Sequence, residues 1–450
     1  MMKHYLNLER PHLMNPTMNV TIKADFKGQF YEERLRSAVK TLTKTYGILG
    51  ATVQMDEKGR AYFLARSAKP IPVEVLDGGA SFERLIYSEN QKPFHLATDS
   101  MLRIFVIPAP YAFSIIFISH HLLGDGKSNL LLMESLAKIY MGVEIPYVGI
   151  QLLKGSEQFP KESEPAFLVK MYLESLNRLW RKQAAQFTFR DYEKMFQEYH
   201  KERESALYTM TLNAVELRKL SYRCKQEGIT INSAVVAAFL YAKKELSERQ
   251  KNHKEKVGIA IDLRNELNFD ASRLIGNYAT AITIEQGHLK EKEFNKFMLK
   301  IHNKLKMRIK NPKSRWLCLR AFDWLEGTLM DSAYFCAFGN FENKASKRYL
   351  KMMSYDKKPE ELGITNVGKI FMGMPEGLEL ESIMFVPPAA PSNDITVGIV
   401  TYQGVMRLAV MYQAGFVRKE KIQKIAARVK ELLLEHGKRT FFPLVMGVFL

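Results

Sequence analysis

An apolar run, a polar turn and a second apolar run follow one another near residue 120, and this order restricts the fold most. Residues 113–118 are largely apolar, with β-branched and aromatic side chains, which predicts a buried strand. Residues 129–140 carry apolar side chains at helical spacing, which predicts a helix. Residues 120–126 between them read His-His-Leu-Leu-Gly-Asp-Gly. The chain is therefore predicted to hold two histidines and an aspartate on a tight turn between strand and helix.

The two histidines of this turn can do acid–base chemistry, because a histidine near its ordinary pKa accepts a proton at neutral pH. Neighbouring side chains of an extended backbone point to opposite faces, so only one of His120 and His121 is expected to face a cleft. Asp125 can orient the imidazole or brace the turn through an arginine, and both roles stay open. Gly124 and Gly126 permit backbone conformations that a side chain forbids. The N–H of Gly126, near a helix start, can also hold a developing oxyanion.

A structural turn and a metal site are the competing interpretations of the histidine pair. A metal site needs a third and a fourth ligand, and the other histidines are scattered along the sequence. The three cysteines, Cys224, Cys318 and Cys336, have neither metal-binding nor redox spacing. They predict reduced, mostly buried thiols and no thiol nucleophile. A zinc hydrolase is therefore disfavoured, and no metal is expected.

Helix and strand patterns are mixed along the whole chain. Residues 30–46 and 419–436 have apolar side chains at helical spacing, whereas residues 48–53 and 395–401 are typical of strands. Such mixing in both halves indicates an α+β or α/β class, and we predict an α+β fold with mixed sheets.

The length of 450 residues suggests more than one domain. Residues 156–205 contain proline punctuation followed by a charged helical region, and we predict that they form a crossover segment. The two halves that it joins are predicted as residues 1–155, which carry the histidine turn, and residues 206–450.

The ends of the sequence bear on location. Residues 1–13 are mixed and charged, unlike a signal peptide, and no stretch reaches the ~20 apolar residues of a membrane-spanning helix. Residues 441–450 are apolar but too short to span a bilayer. They predict a packed strand or tail, with peripheral membrane contact left open. We expect a cytoplasmic monomer.

Residues 120–126 match the HHxxxDG signature of the condensation-domain acyltransferase superfamily. This group includes peptide-synthetase condensation domains and alcohol acyltransferases, and it resembles chloramphenicol acetyltransferase in fold. Residues 261–264, 276–278 and 365–368 resemble, in turn, the arginine strand, the Gly-Asn element and the (Ser/Thr)-Asn-x-Gly turn of these proteins. The resemblance implies two chloramphenicol acetyltransferase-like halves with an active-site tunnel between them.

The resemblance also implies roles for individual residues. His121 is implied as the general base and His120 as its support, and Asp125 as a structural partner of Arg264 rather than a proton relay. The implied catalytic residues are His121, His120, Asp125 and Gly126; the structural supports are Arg264 and Gly124; the substrate-channel residues are Asn366 and Asn277.

The chemistry implied by the resemblance is transfer from acyl-CoA or a phosphopantetheine thioester on an acyl carrier protein to a small-molecule alcohol or amine. Attack is direct, without an acyl-enzyme, a metal or a permanently bound cofactor. The Asp-Phe-Gly-Trp-Gly motif of the plant enzymes, the Ser-x-Ala-Gln opening of many condensation domains and an attached carrier or adenylation domain are all absent. These departures favour a stand-alone acyltransferase. An alcohol is slightly favoured over an amine as the acceptor. An amide-forming free-standing condensation enzyme and a binding module without chemistry are the alternatives.

The strongly basic composition, with a formal net charge of +18, favours acidic partners. Residues 290–315 hold ten basic and two acidic residues, and a second basic stretch lies at residues 344–358. These stretches are either solvated surface or a docking site for an acidic carrier protein or for coenzyme A phosphates. Zinc-ligand spacing, an aromatic RNA-binding signature and a continuous basic arm are all missing, so nucleic acid is not expected.

Overall fold

The computed structural model describes residues 3–247, 254–287, 293–355 and 358–435. Within these ranges the chain forms fourteen strands and thirteen α-helices, so the predicted α+β class is confirmed. The strands are β1 Lys3–Tyr5, β2 Asn19–Lys27, β3 Thr52–Met55, β4 Ala61–Leu64, β5 Val73–Val75, β6 Leu102–Ala109, β7 Ala112–His120, β8 Ser205–Leu212, β9 Glu255–Asp262, β10 Ala279–Gln286, β11 Glu361–Lys369, β12 Glu379–Val386, β13 Asn393–Tyr402 and β14 Val405–Gln413. The helices are α1 Arg10–Leu13, α2 Glu32–Thr45, α3 Phe82–Asn90, α4 Gly126–Tyr140, α5 Phe167–Arg181, α6 Phe189–Glu202, α7 Ala214–Gln226, α8 Ile231–Glu245, α9 Phe294–Lys310, α10 Pro312–Trp324, α11 Gly327–Phe338, α12 Lys344–Met352 and α13 Lys419–Leu434.

The strands form three sheets. A five-stranded sheet has the order β12-β2-β7-β6-β5, a six-stranded sheet has the order β10-β9-β11-β13-β14-β8, and a small sheet has the order β1-β4-β3. Neighbouring strands are antiparallel except for β5 with β6 and for β11 with both β9 and β13. The histidine turn belongs to the five-stranded sheet.

Strand β7 is the central strand of the five-stranded sheet, and this position explains its apolar sequence. It pairs with β2 on one side and β6 on the other, and its last six residues are all buried. A central strand covered on both faces needs apolar side chains on both faces. The strand ends at His120, and α4 begins at Gly126 with the side chain of Asp125 as its N-cap.

The six-stranded sheet is covered by helices, of which α8 is the most deeply buried. The hydroxyl of Thr230 caps this helix by accepting a hydrogen bond of 3.1 Å from the N–H of Ser233. Every residue from 233 to 243 is buried, because α8 packs against α9 and α13 as well as near the sheet.

The sequence of the second half also supplies a strand to the first sheet. Strand β12 pairs with β2 in the five-stranded sheet, whereas β11 and β13, which precede and follow it, pair with each other in the six-stranded sheet. The chain therefore crosses between the two sheets twice within this stretch. The division at residues 1–155, 156–205 and 206–450 stays a prediction.

One local prediction is wrong. Residues 48–53 form no continuous strand, because residues Gly47–Gly50 form a 3₁₀ turn and β3 begins only at Thr52. The N–H groups of Leu49 and Ala51 donate to carbonyls three residues earlier, which closes the turn. The predicted closing helix is present as α13; residue 436 and the apolar residues 441–450 lie outside the described residues.

None of the helices in the described ranges is both long enough and apolar enough to cross a lipid bilayer. Cys224 is buried, Cys318 and Cys336 are partly buried, and all three are free.

Candidate active site

The backbone of the two histidines is held by the residues that immediately precede β2 and β6, the strands on either side of β7. The N–H of His120 donates to the carbonyl of Met101 at 2.9 Å, and the N–H of His121 donates to the carbonyl of Met18 at 2.8 Å. Both histidines therefore sit on backbone fixed from both sides of the strand, which is the rigidity that a catalytic group needs.

The side chain of Asn277 locks the imidazole of His121. Asn277 Nδ2 donates to the carbonyl oxygen of His121 at 2.9 Å, and Asn277 Oδ1 lies 2.9 Å from Nδ1 of the same histidine. Because the first bond fixes which end of the amide is oxygen, Nδ1 must carry the proton that Oδ1 accepts. The lone pair therefore lies on Nε2.

The surroundings of His121 keep it neutral. Burial lowers the pKa of its imidazole below the ordinary 6.5, and the charge of Asp125 and the hydrogen bond to Asn277 oppose this shift only in part. The side chain nevertheless stays partly exposed, whereas its neighbour His120 is buried. A neutral, partly exposed imidazole with an unprotonated Nε2 is suited to accept a proton.

His120 points into the protein core. Its Nδ1 accepts a hydrogen bond of 3.2 Å from the N–H of Leu122, so the proton resides on Nε2. Its ring packs edge-on against Phe94, and burial lowers the pKa of His120 to about 3. The alternation expected along an extended backbone thus separates the two histidines. The supporting role implied for His120 stays a prediction.

The ion pair predicted between Asp125 and Arg264 is present. Arg264 Nη1 and Nη2 donate to the two carboxylate oxygens of Asp125 at 2.8 and 2.9 Å, and both side chains are less than one-tenth exposed. Although burial raises the pKa of Asp125, the Arg264 guanidinium holds it below its ordinary value. The carboxylate also accepts N–H bonds from Ser128 and Tyr278. With its oxygens occupied in this way, Asp125 braces the start of α4.

A second polar contact joins the turn to the segment before β10. Ser128 Oγ donates to the carbonyl of Gly276 at 2.8 Å and accepts bonds from the N–H of Gly276 and from Arg264. A Cβ at Gly124 would lie only 2.7 Å from that of Ser128. It would also lie 3.2 Å from the backbone nitrogen of Gly276, so the absence of a side chain at Gly124 lets the turn and the segment before β10 approach closely.

Gly126 is the first residue of α4, where the backbone N–H has no partner within the helix. A Cβ there would lie 2.8 Å from the ring of Phe385 and 2.9 Å from Val367, so glycine is required by close packing. Asn366, next to Val367, donates to Asn232 and accepts the N–H of Gly368, rather than contacting His121. The channel positions implied for Asn366 and Asn277 stay predictions.

His12, which no sequence pattern indicated, lies on the face of the His121 ring. The ring centroids are 4.5 Å apart and the planes differ by only 10°. His12 lies more than one hundred residues from the motif in a short charged segment, so spacing offered no signal for it.

Among the described residues, no group of three or more histidine, cysteine, aspartate or glutamate side chains is arranged to hold a metal ion.

The sequence was compared with known protein families, and residues 12–311 match the Condensation domain family. The match spans about two thirds of the chain and includes the whole histidine turn. The chain belongs to the condensation-domain family. No match to the sequence was found among curated proteins.

Solved structures share the fold of this condensation-domain protein over nearly its whole length. Trichothecene 15-O-acetyltransferase from Fusarium sporotrichioides superposes with a TM-score of 0.64 at 15% identity, covering 95% of this chain and 92% of that one. Polyketide synthase associated protein 5 from Mycobacterium tuberculosis gives 0.62 at 14% identity, covering 97% and 98%. The epimerization domain from the third module of tyrocidine synthetase B gives 0.62 at 12% identity, covering 96% of each chain. At these identities the likeness shows the fold.

The Asn277 contact gives the first testable prediction for this condensation-domain protein. Asn277→Leu removes the acceptor for Nδ1–H. If His121 is the general base that the HHxxxDG resemblance implies, kcat should fall by about tenfold or more, which is part of the ~10²–10⁴-fold that a general base contributes. Asn277→Asp keeps the acceptor and should retain more of the rate. Steady-state kinetics of the two variants test this, and wild-type kcat in Asn277→Leu would show that Asn277 does not set the state of His121.

Proposed function

We propose that this protein is an acyltransferase that moves an acyl group from a thioester to an alcohol or amine acceptor, with His121 as general base. The observation that carries the proposal is the hydrogen-bond pair between Asn277 and His121, which leaves Nε2 unprotonated at a partly exposed position. The membership in the condensation-domain family supports it, and so does the acetyltransferase among the structures of similar fold.

The proposed reaction needs one proton shuttle and no covalent enzyme intermediate. Nε2 of His121 takes the proton of the acceptor hydroxyl or amine as its oxygen or nitrogen attacks the thioester carbonyl carbon. The tetrahedral intermediate then collapses, the carbon–sulfur bond breaks, and the imidazolium returns the proton to the leaving thiolate. Within the described residues, no serine, threonine or cysteine side chain hydrogen-bonds to His121, which supports direct attack. The N–H of Gly126 is our candidate donor to the oxyanion.

The proposed donor is an acyl-CoA or an acyl carrier protein, and a basic cavity supports it. The cavity is about 330 Å³, lies at the N-terminus of α12, and is lined by Gln183, Glu342, Asn343, Lys344, Lys347, Arg348 and Lys351. It contains most of the second basic stretch predicted from the sequence; Lys357 lies outside the described residues, as do residues 290 and 292 of the first stretch. Four cations line the cavity, and one of them, Lys347, pairs with Glu342 at 3.1 Å. The remaining excess of positive charge attracts phosphates or carboxylates.

A charge reversal tests the donor surface. Lys351→Glu should lower kcat/KM several-fold at low salt and leave kcat unchanged, because it weakens encounter and not chemistry. The difference from wild type should shrink as salt is added. Lys225→Glu, an exposed lysine on α7, changes the net charge equally and serves as the matched control. An equal effect of the two variants would contradict a dedicated docking site.

The pH dependence follows from the lowered pKa of His121. The neutral imidazole is the active form, and it is populated above its pKa. We therefore expect kcat/KM for the acceptor to be constant from neutral pH upward. It should fall at acid pH, with a midpoint below 6.5. A pH–rate profile with saturating donor checks this, and a midpoint above 6.5 would contradict the assignment of His121.

The activity itself is tested with purified full-length protein. The protein is incubated with a panel of acyl-CoAs or acylated carrier protein and with alcohol and amine acceptors in competition. Thiol release is followed by absorbance and products by mass spectrometry. The proposal expects thiol release that depends on the acceptor. Ester products identify an alcohol acyltransferase, amide products an amide-forming condensation enzyme, and no thiol release with any donor would contradict the proposal.

A further inference from the structure

The stacked pair of His12 and His121 is the least expected contact in the site. The two imidazoles lie face to face at 4.5 Å, with planes only 10° apart. Asn277 holds the edge of the same His121 ring through Nδ1. The ring of His121 is thus restrained on one edge and on one face by residues from two distant parts of the sequence.

The segment that carries His12 is anchored by α11. Arg10 forms an ion pair with Asp331 in which the side chains are 3% and 0% exposed. The hydroxyl of Tyr334 donates to the carbonyl of Pro11 at 2.7 Å. Arg10 also packs closely on Gly327, where a Cβ would lie 3.1 Å from its side chain.

This anchoring matters because α1 has only four residues and cannot be stable by itself. Burying an ion pair fixes geometry more effectively than it adds stability. The Arg10–Asp331 pair and the bond from Tyr334 to Pro11 together hold the segment that carries His12 against α11.

His12 is suited to stack against a base that gains a proton. Burial lowers the pKa of His12 well below its ordinary value, with the neighbouring His121 and His120 acting in the same direction, so its ring is neutral. Neither ring nitrogen of His12 takes part in a hydrogen bond among the described residues. The faces of Trp, Tyr and Phe attract a cation that lies within about 6 Å of the ring centroid, and we extend this to the neutral imidazole face of His12. The imidazolium formed when His121 accepts the acceptor's proton meets this condition.

We propose that His12 is a positioning residue that acts through His121: its flat ring holds the imidazole in the Nδ1–H orientation and supports the imidazolium formed during transfer. The kinetic part of this inference rests on the proposed acyltransferase function. The structural part concerns only the state of His121 and does not require a substrate.

Two substitutions at position 12 distinguish the effect of a planar ring from the effect of side-chain volume alone. His12→Phe keeps a planar ring without nitrogens, and His12→Leu fills similar space without one. We expect kcat of His12→Leu to fall by about 3- to 10-fold with KM little changed, as a lost ring contact of this kind predicts, and His12→Phe to stay within about twofold of wild type. His95→Leu removes an exposed histidine that pairs with Glu193 and is the matched control.

A second readout needs no turnover. Nitrogen-15 NMR of labelled full-length protein reports which ring nitrogen of His121 carries the proton, with its signals assigned through His121→Ala. We expect one Nδ1–H tautomer in wild type and in His12→Phe, and averaged shifts in His12→Leu. Unchanged shifts and unchanged kcat in His12→Leu would overturn the inference, as would His12→Phe behaving like His12→Leu. If no donor is ever consumed, the proposed function fails, while the NMR comparison still decides the positioning role.

Discussion

Replacing His121 by alanine is expected to abolish the proposed acyl transfer and to leave the protein folded, which is the largest effect that we predict. The variant lacks the imidazole whose Nδ1–H is held by Asn277 and whose Nε2 is therefore unprotonated. A general base contributes about 10²–10⁴-fold, so the remaining rate should approach the background of acceptor and thioester alone. Acceptor-dependent thiol release measures the loss.

The fold of His121→Ala should survive because the backbone of this residue, not its ring, carries the strand contact. Its N–H donates to Met18 and its carbonyl accepts from Asn277, and alanine keeps both groups. Thermal unfolding checks this point, with His95→Ala as an exposed histidine control. Undiminished turnover by a folded His121→Ala protein would exclude His121 as the base.

Asp125→Ala has the largest expected effect on stability. It leaves the Arg264 guanidinium buried without its main partner and removes the N-cap of α4. Breaking a buried pair in this way costs about 3–5 kcal/mol of unfolding free energy. Because the pKa of Asp125 is lowered on folding, the contribution is present above its ordinary 3.8 and is lost as the pH falls through the folded-state pKa. Urea unfolding at neutral pH measures the loss.

The controls for Asp125 use its neighbours. Arg264→Ala should cost a similar amount, and the double variant should cost less than the two single losses added together, because neither charge is then left unpaired. Asp262→Ala removes a more exposed partner of the same arginine and should cost clearly less. A loss below about 1 kcal/mol in Asp125→Ala, the size of an exposed pair, would contradict the bracing role.

The sequence was sufficient to predict the strand before the histidine motif and the helix after it. The apolar run before His120 became the central strand β7, and the helical pattern after Gly126 became α4. These predictions succeeded because burial on both faces of a strand and on one face of a helix leaves a local pattern. The Asp125–Arg264 contact spans 139 residues and was expected only through the resemblance to the condensation-domain superfamily.

Contacts between distant residues leave no local pattern and could not be predicted from the sequence. The pairing of β12 with β2 depends on where the chain crosses between the two sheets, which no local pattern reports. Residues 48–53 have strand-forming side chains, yet hydrogen bonding around Gly47–Gly50 closes a turn there. His12 touches His121 because a buried ion pair from α11 holds its segment, and that pair joins residues more than three hundred positions apart.

Rapid-quench single turnover of an acyl thioester with an acceptor tests the central claim most directly. Wild-type and His121→Ala proteins are compared, and product, thiol and intact protein mass are measured at each time. The account predicts that product and thiol appear together in wild type only, with no acylated protein at any time. Product formation by His121→Ala at the wild-type rate, or acylated protein that forms before product, would contradict it.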